Sequence, residues 1–304
     1  MTMSGQIKAF PVEKEYGKNP DISREDINKL REWLKTQPHL PEEYITDLDL
    51  VLIYFCCEKS AEVSKQVLDL HFTLRTLLTI WFKDREVDKK IINALNTVLI
   101  TPLPAPTVNG YKAMYCRLID DDPKRYMFAD IIRAFMMVFD LLQYEEGTWP
   151  GFVLLIDMDL ASVGHLAKID ISLLKQVLFF HQASLIVKLK ELHFLNAPYF
   201  MDKVMTMLKP FMKKSLMDII KVHERGSESL YKYVQKNSFP KESGGNYKDN
   251  ITLRDEIISR LENNKQYFTD ESRRRVNESL RPSGKKTIEG LFGIEGSFKK
   301  LDID

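Results

Sequence analysis

The sequence has few cysteines and no long apolar run. Its three cysteines, Cys56, Cys57 and Cys116, are an odd number, which argues against a disulfide framework and favours a reducing compartment. Residues 1–18 are mixed polar without an apolar signal core, and no run of about 18 apolar residues is present. We therefore expect a cytoplasmic protein without a membrane-spanning segment.

The motifs of common enzyme classes are also missing. The chain has no G-x-S-x-G elbow and no G-x-G-x-x-G, and Gly284-Lys285-Lys286-Thr287 lacks the upstream glycine of a phosphate-binding loop. The six histidines are scattered, and no set of cysteines and histidines has zinc spacing. The acidic pair Asp157 and Asp159 follows an apolar strand pattern, and we interpret Asp157 as a cap of the next segment. The sequence thus predicts no catalytic residues, no metal and no cofactor.

Composition is that of an ordinary globular protein. Of the 304 residues, 44% are hydrophobic and 29% charged, and the net charge is +1. Such a balance creates no strong overall field to attract nucleic acid, so electrostatic targeting would need a local basic patch.

Changes of pattern divide the chain into four parts. Residues 1–20 resemble an arm, and residues 21–100 a helical domain whose first helix starts at the N-cap Ser23. Residues 101–270 are expected to form the main domain, which opens with a proline-rich loop over 101–110, and residues 271–304 a tail that wraps the surface.

Strand and helix patterns alternate in the main domain. This order predicts an α/β fold with a mainly parallel sheet. The predicted strands cover 111–119, 152–156, 191–196 and 218–223, and the predicted helices between them cover 128–144, 171–185 and 197–216.

The most informative pattern lies at residues 198–216. Pro198 stands where a helix would begin, and a wide apolar face with many methionines follows. Such a face suits a lid over an apolar cavity, because methionine adapts to flexible ligands, although an amphipathic helix packed on a sheet shows the same pattern. Its apolar residues are Phe200, Met201, Val204, Met205, Met207, Leu208, Phe211 and Met212.

Several motifs in one order resemble the CRAL-TRIO family of lipid-binding proteins, which includes α-tocopherol transfer protein and cellular retinaldehyde-binding protein. The family-like runs are Leu-Pro-Glu-Glu at 40–43, Gly-Phe-Val-Leu-Leu-Ile-Asp-Met-Asp at 151–159, Leu-His-Phe-Leu-Asn-Ala-Pro at 192–198, Lys-Pro-Phe at 209–211 and Pro-Lys-Glu-Ser-Gly-Gly at 240–245. The run at 293–301 is similar to the ending of insect members.

This resemblance implies a helical N-terminal domain and a sheet that floors a lipid cavity closed by a gate helix at 198–216. A monomer that carries one hydrophobic molecule between membranes is then expected, its cargo being a tocopherol, retinoid, carotenoid or other isoprenoid-type lipid. The alternative is a scaffold or phosphoinositide-binding module without cargo. The expected ligand-binding residues are Ile131, Phe135, Val138, Phe139, Ile156, Val177, Phe180, Met201, Met205, Leu208 and Met212.

Two family features are only partly matched. Of the basic cluster by which the tocopherol carrier binds phosphoinositides, Lys188 and Lys190 are present, whereas Ser215 and Ile219 replace two cations that Lys213, Lys214 and Lys221 could supply. Ala134 and Val138 stand where that carrier has pocket hydroxyls, so a polar head group would lose hydrogen bonds there. We expect contact with an anionic membrane surface and leave the identity of the cargo open.

Overall fold

A computed structural model describes residues 6–292. The N-terminal part is helical, and side-chain caps explain where its helices begin. Ser23 and Asp26 form a capping box, as do Thr46 and Asp49, and the Ser60 hydroxyl accepts the Val63 N–H. The helices are α1 (Val12–Lys18), α2 (Arg24–Lys35), α3 (Asp47–Cys56), α4 (Ala61–Leu77), α5 (Thr79–Phe82) and α6 (Lys89–Thr97), with a 3₁₀ turn at Glu42–Tyr44.

A five-stranded sheet follows, with its strands in chain order. β1 pairs antiparallel with β2 and the other neighbours are parallel, so the predicted α/β class with a mainly parallel sheet is confirmed. The edge strand β1 was not predicted: residues 98–100 fall within the expected helical domain 21–100, but the chain leaves α6 after Thr97 and becomes extended from Val98. The strands are β1 (Val98–Pro102), β2 (Lys112–Leu118), β3 (Phe152–Asp157), β4 (Leu189–Ala197) and β5 (Ile220–Glu224).

Helices and short turns complete the main domain and the C-terminal segment. The helices are α7 (Phe128–Glu146), α8 (Val163–Leu166), α9 (Ile171–Ala183), α10 (Met201–Leu208), α11 (Lys214–Met217), α12 (Asn250–Asn263), α13 (Lys265–Glu271) and α14 (Ile288–Phe292). The 3₁₀ turns are Lys209–Phe211, Glu228–Lys232, Lys236–Ser238, Lys241–Ser243 and Glu278–Leu280.

The sheet has an apolar layer on each face, because alternate residues of a strand point to opposite sides. Val153 and Leu155 of β3 pack with residues of the 230–253 region. Leu154 and Ile156 of the same strand face a second cluster, which includes residues of α7, α9 and α10. This second layer contains the cavity described below.

A buried ionic cluster joins distant parts of the chain. Asp140 of α7 lies 2.7 Å from Arg85 Nη1 and also binds Arg75 of α4, and both arginines contact Glu271 of α13. Burial opposes ionisation of Asp140 and Glu271, but the two arginines outweigh it and hold the pKa of both carboxyls below the ordinary values. The cluster therefore fixes the N-terminal helices against the main domain.

The C-terminal segment packs on the N-terminal helices. Arg281 Nη1 lies 2.7 Å from Asp69 Oδ1, and the Asn277 N–H donates to the His39 carbonyl at 2.9 Å. The four-part division of the chain stays a prediction, and the family-like run at 293–301 lies outside the described residues.

Candidate functional site

An apolar cavity of about 290 Å³ lies between the sheet and the helices that cover one of its faces. Its floor comes from β1 to β4, including Ile100, Leu154 and Phe194, and its walls from α7, α9 and the segment that follows β4. Nearly all of the lining is hydrocarbon or aromatic. A cavity of this composition suits an apolar guest better than water, which would need several polar partners.

Six of the predicted ligand-binding residues line this cavity. They are Ile131, Phe135, Ile156, Val177, Leu208 and Met212. That they contact a ligand stays a prediction.

The structure places the other five residues away from the wall. Phe139 lies one turn beyond Phe135 and packs edge-on against Trp149 and Phe152, and Val138 is buried in the same core. Phe180 packs against Phe82 of α5, with ring centroids 5.1 Å apart. These three side chains fill space between elements and leave none for a guest.

The helix phase of α10 separates Met205 from the residues on the cavity wall. Phe200, Val204, Met207 and Leu208 line the cavity and fall within about 100° around the helix axis. Met205 is turned about 60° beyond Leu208, whereas Met201, the first residue of α10, is buried in the same core but does not line the cavity. The wide apolar face predicted from the sequence includes these four residues, but its pattern does not separate them from Met201 and Met205.

The segment 198–216, which we call the gate segment, is not one continuous helix as predicted. α10 ends at Leu208, a 3₁₀ turn covers Lys209–Phe211, and α11 starts only at Lys214. Pro210 is the physical reason, since proline has no N–H to continue the helical ladder and its ring clashes with the preceding turn.

Both ends of the gate segment are tied to the rest of the fold. Before it, Asn196 adopts a left-handed conformation with φ of 50° and its amide donates to Asp157 Oδ1 at 2.8 Å. Near its end, the Gln182 amide of α9 donates to the Phe211 carbonyl at 2.8 Å and accepts the Lys213 N–H at 2.7 Å. The segment between these two attachments covers the cavity.

A few polar side chains that sequence reasoning missed lie on the wall. Tyr126, Ser162, His165 and His181 are the main ones. Burial lowers the pKa of both histidines, and burial raises the pKa of Tyr126 to about 12, so all three groups are neutral near pH 7. No spacing in the sequence marks them, because they come from a loop and from different helices.

The lysines predicted to bind membranes fall into two groups. Lys188 lies 2.9 Å from Glu58 and over the Phe55 ring, and Lys221 lies 3.6 Å from Glu191. Lys190, Lys213 and Lys214 are exposed and form no ion pair with any residue in the range 6–292. The latter three are therefore the cations available to an external anion.

The described part of the chain contains neither a metal site nor a membrane-spanning helix. Within residues 6–292, no group of three or more His, Cys, Asp or Glu side chains could hold a metal ion. Across that same range, every helix is too short or too polar to cross a bilayer.

Comparisons with known proteins locate two recognised regions. Residues 97–245 match the CRAL/TRIO domain, and residues 19–92 match the Pinta-like UBA domain. Clavesin-1 of Mus musculus is 27% identical over 237 residues, which are 76% of this chain and 66% of that protein. Clavesin-2 of Homo sapiens is 24% identical over 243 residues, which are 76% and 71% of the two chains.

A likeness to a solved structure is weaker. The crystal structure of Sfh5 superposes with a TM-score of 0.46 at 12% identity, over 76% of this chain and 92% of that one. The clavesins reported above come from vertebrates and so do not support the resemblance to insect proteins.

Proposed function

Since the chain carries a CRAL/TRIO domain over residues 97–245, a domain that binds hydrophobic lipids, we propose that it encloses one lipid-like molecule in the cavity and transfers it between membranes. The observation that carries this proposal is the apolar cavity beneath the gate segment. Its cargo is a tocopherol, retinoid, carotenoid or other isoprenoid-type lipid.

A carrier is useful because exposing a lipid chain to water is energetically costly. Each exposed CH₂ group costs about 0.8 kcal/mol, so a sixteen-carbon chain in water costs on the order of 13 kcal/mol and free monomers are scarce. A cavity lined by side chains such as Ile156, Val177 and Phe194 replaces that contact with water by apolar contact. The enclosed lipid can then cross the aqueous phase without exposing its hydrocarbon to water.

Release requires the gate segment to move. Opening would expose Phe200, Val204 and Met207, which is costly in water and tolerable at a bilayer interface. Apolar side chains close to cavity-lining residues are already exposed: Tyr199 is 90% exposed beside Phe200, and Met127, Leu160, Val163 and Ile171 are exposed within two residues of other lining positions. These residues would contact the membrane while the gate opens.

An anionic membrane surface would assist this contact. Lys213 and Lys214 stand at the end of the gate segment and Lys190 at the start of β4, and all three are exposed. Each cation near an anionic leaflet contributes about 1 kcal/mol, so the three give useful but modest attraction. Lys188 and Lys221 contribute less, because Glu58 and Glu191 already balance them.

Native mass spectrometry of gently purified protein tests the carrier directly. The wild-type chain should carry, or accept, one lipid of defined mass. Ile156→Trp should block loading, because Ile156 points into the cavity and the indole fills it, whereas Ile156→Val should preserve loading.

Unfolding midpoints of both variants serve as the fold control. Wild-type protein that is empty and cannot be loaded would contradict the carrier and favour a scaffold without cargo. Loading of Ile156→Trp at wild-type levels would place the lipid elsewhere.

A further inference from the structure

Two buried polar atoms on the cavity wall have no hydrogen-bond partner within residues 6–292, His165 Nε2 and Arg117 Nε. Arg117 is already neutralised, since its terminal nitrogens lie 2.8 Å from Asp157 Oδ2 and 2.7 Å from Asp159 Oδ2. His165 has no such compensation, and only 5% of the residue is exposed. A buried donor or acceptor without a partner is costly, so such a group points to a ligand atom.

The local backbone decides what His165 can offer. The Ser162 N–H donates to His165 Nδ1 at 3.2 Å, and the Ser162 hydroxyl lies 2.9 Å from the same nitrogen. Because Nδ1 accepts a backbone N–H, the proton of the neutral ring must sit on Nε2. His165 therefore presents a hydrogen-bond donor.

Tyr126 adds a second polar group at this place. Its ring meets the His165 ring edge to face, with centroids 5.4 Å apart, and it also lines the cavity. Its hydroxyl bonds to no other residue that the structure describes, and it stays protonated because burial raises the pKa of Tyr126 to about 12. The two rings form one polar corner in a mainly apolar wall.

We propose that this corner binds one neutral oxygen acceptor of the cargo, a ketone, aldehyde, ester or hydroxyl oxygen, through His165 Nε2–H and the Tyr126 hydroxyl. This assignment rests on the proposed carrier function and narrows its cargo to a hydrocarbon with one neutral oxygenated group. A carboxylate is disfavoured, because Asp120, Asp121 and Asp122 act electrostatically on His165 and would repel a second negative charge.

A matched set of probes tests the assignment: 2-tridecanone, tridecane and tridecanoate, each competing with Nile red bound in the cavity. Wild-type protein should bind the ketone about 3- to 10-fold more tightly than the alkane, the range of one net hydrogen bond. His165→Leu should lower this ratio to what the Tyr126 hydroxyl alone provides while binding the alkane at least as well, and His165→Gln, which keeps an N–H donor, should retain more of the preference. Tyr126→Phe should lower the ratio partly.

The outcomes separate this assignment from the function on which it depends. Equal binding of ketone and alkane by the wild type, an unchanged ratio in His165→Leu, or tridecanoate binding as tightly as the ketone would overturn the polar corner alone. Failure of all three probes to displace Nile red would overturn the carrier and the polar corner together. The alkane affinity of His165→Leu shows in the same assay that the variant keeps its cavity.

Discussion

Replacing Gln182 by leucine should speed the release of cargo, because the amide of this side chain holds the end of the gate segment. It donates to the Phe211 carbonyl at 2.8 Å and accepts the Lys213 N–H at 2.7 Å. Leucine has a similar size and can do neither. The closed state then loses two hydrogen bonds, while an open state in which these groups face water loses nothing.

The size of the effect follows from those two bonds. Each contributes about 0.5–1.5 kcal/mol net, so the opening equilibrium should shift by about 1–3 kcal/mol. Phe211 is half-buried and Lys213 exposed, so water replaces part of the lost bonding. We therefore expect the lower end, a release rate about 5- to 20-fold faster.

Stopped-flow transfer of a fluorescent lipid from the protein to quencher-containing vesicles measures that rate. Gln143→Leu is the matched control, because Gln143 donates its amide to the Ile186 carbonyl at 2.5 Å and does not line the cavity. Release from Gln182→Leu at the wild-type rate would refute the reasoning. An equal acceleration in both variants would attribute the effect to general loosening instead.

Four further predictions concern the gate, the membrane surface and the ionic cluster. Val204→Asp should abolish lipid retention, because it places a carboxylate on the cavity wall, and a co-purified lipid at normal occupancy would contradict this. Lys213→Ala with Lys214→Ala should weaken sedimentation with anionic liposomes and reduce the salt dependence of that binding. Unchanged binding by this double variant would exclude the two lysines as membrane contacts. Asp140→Asn should lower the free energy of unfolding in urea by about 3–5 kcal/mol, since it leaves buried arginines undercompensated. Because the folded-state pKa values of Asp140 and Glu271 are depressed, their contribution to the free energy of unfolding is complete above about pH 5 and is lost as the pH falls below about 4. A wild-type free energy of unfolding that does not change over this pH range would contradict the pairing.

Local patterns predicted most of the elements of the fold. The helix 128–144 and the strand 152–156 are observed as Phe128–Glu146 and Phe152–Asp157, because their apolar periodicity agrees with their final environment. The family resemblance carried by the motifs is confirmed by the CRAL/TRIO match over residues 97–245. The strand β1 was missed because its extended form depends on pairing with β2.

The site was only partly predictable for a similar reason. Helical spacing in the sequence identifies an apolar stripe, but it does not say which part of that stripe borders a void. Phe135 faces the cavity whereas Phe139, one turn later, packs against Trp149. Whether a phenylalanine ring of this helix lines the cavity therefore depends on which side chains of other elements pack against it.

The sequence alone therefore determined the class of the fold and the absence of familiar catalytic motifs, because these follow from local periodicity and residue type. Only the tertiary structure decided which apolar side chains surround empty space and that Tyr126 and His165 meet on its wall. Burial, missing hydrogen-bond partners and void volume arise between elements distant along the chain, and no local pattern encodes them.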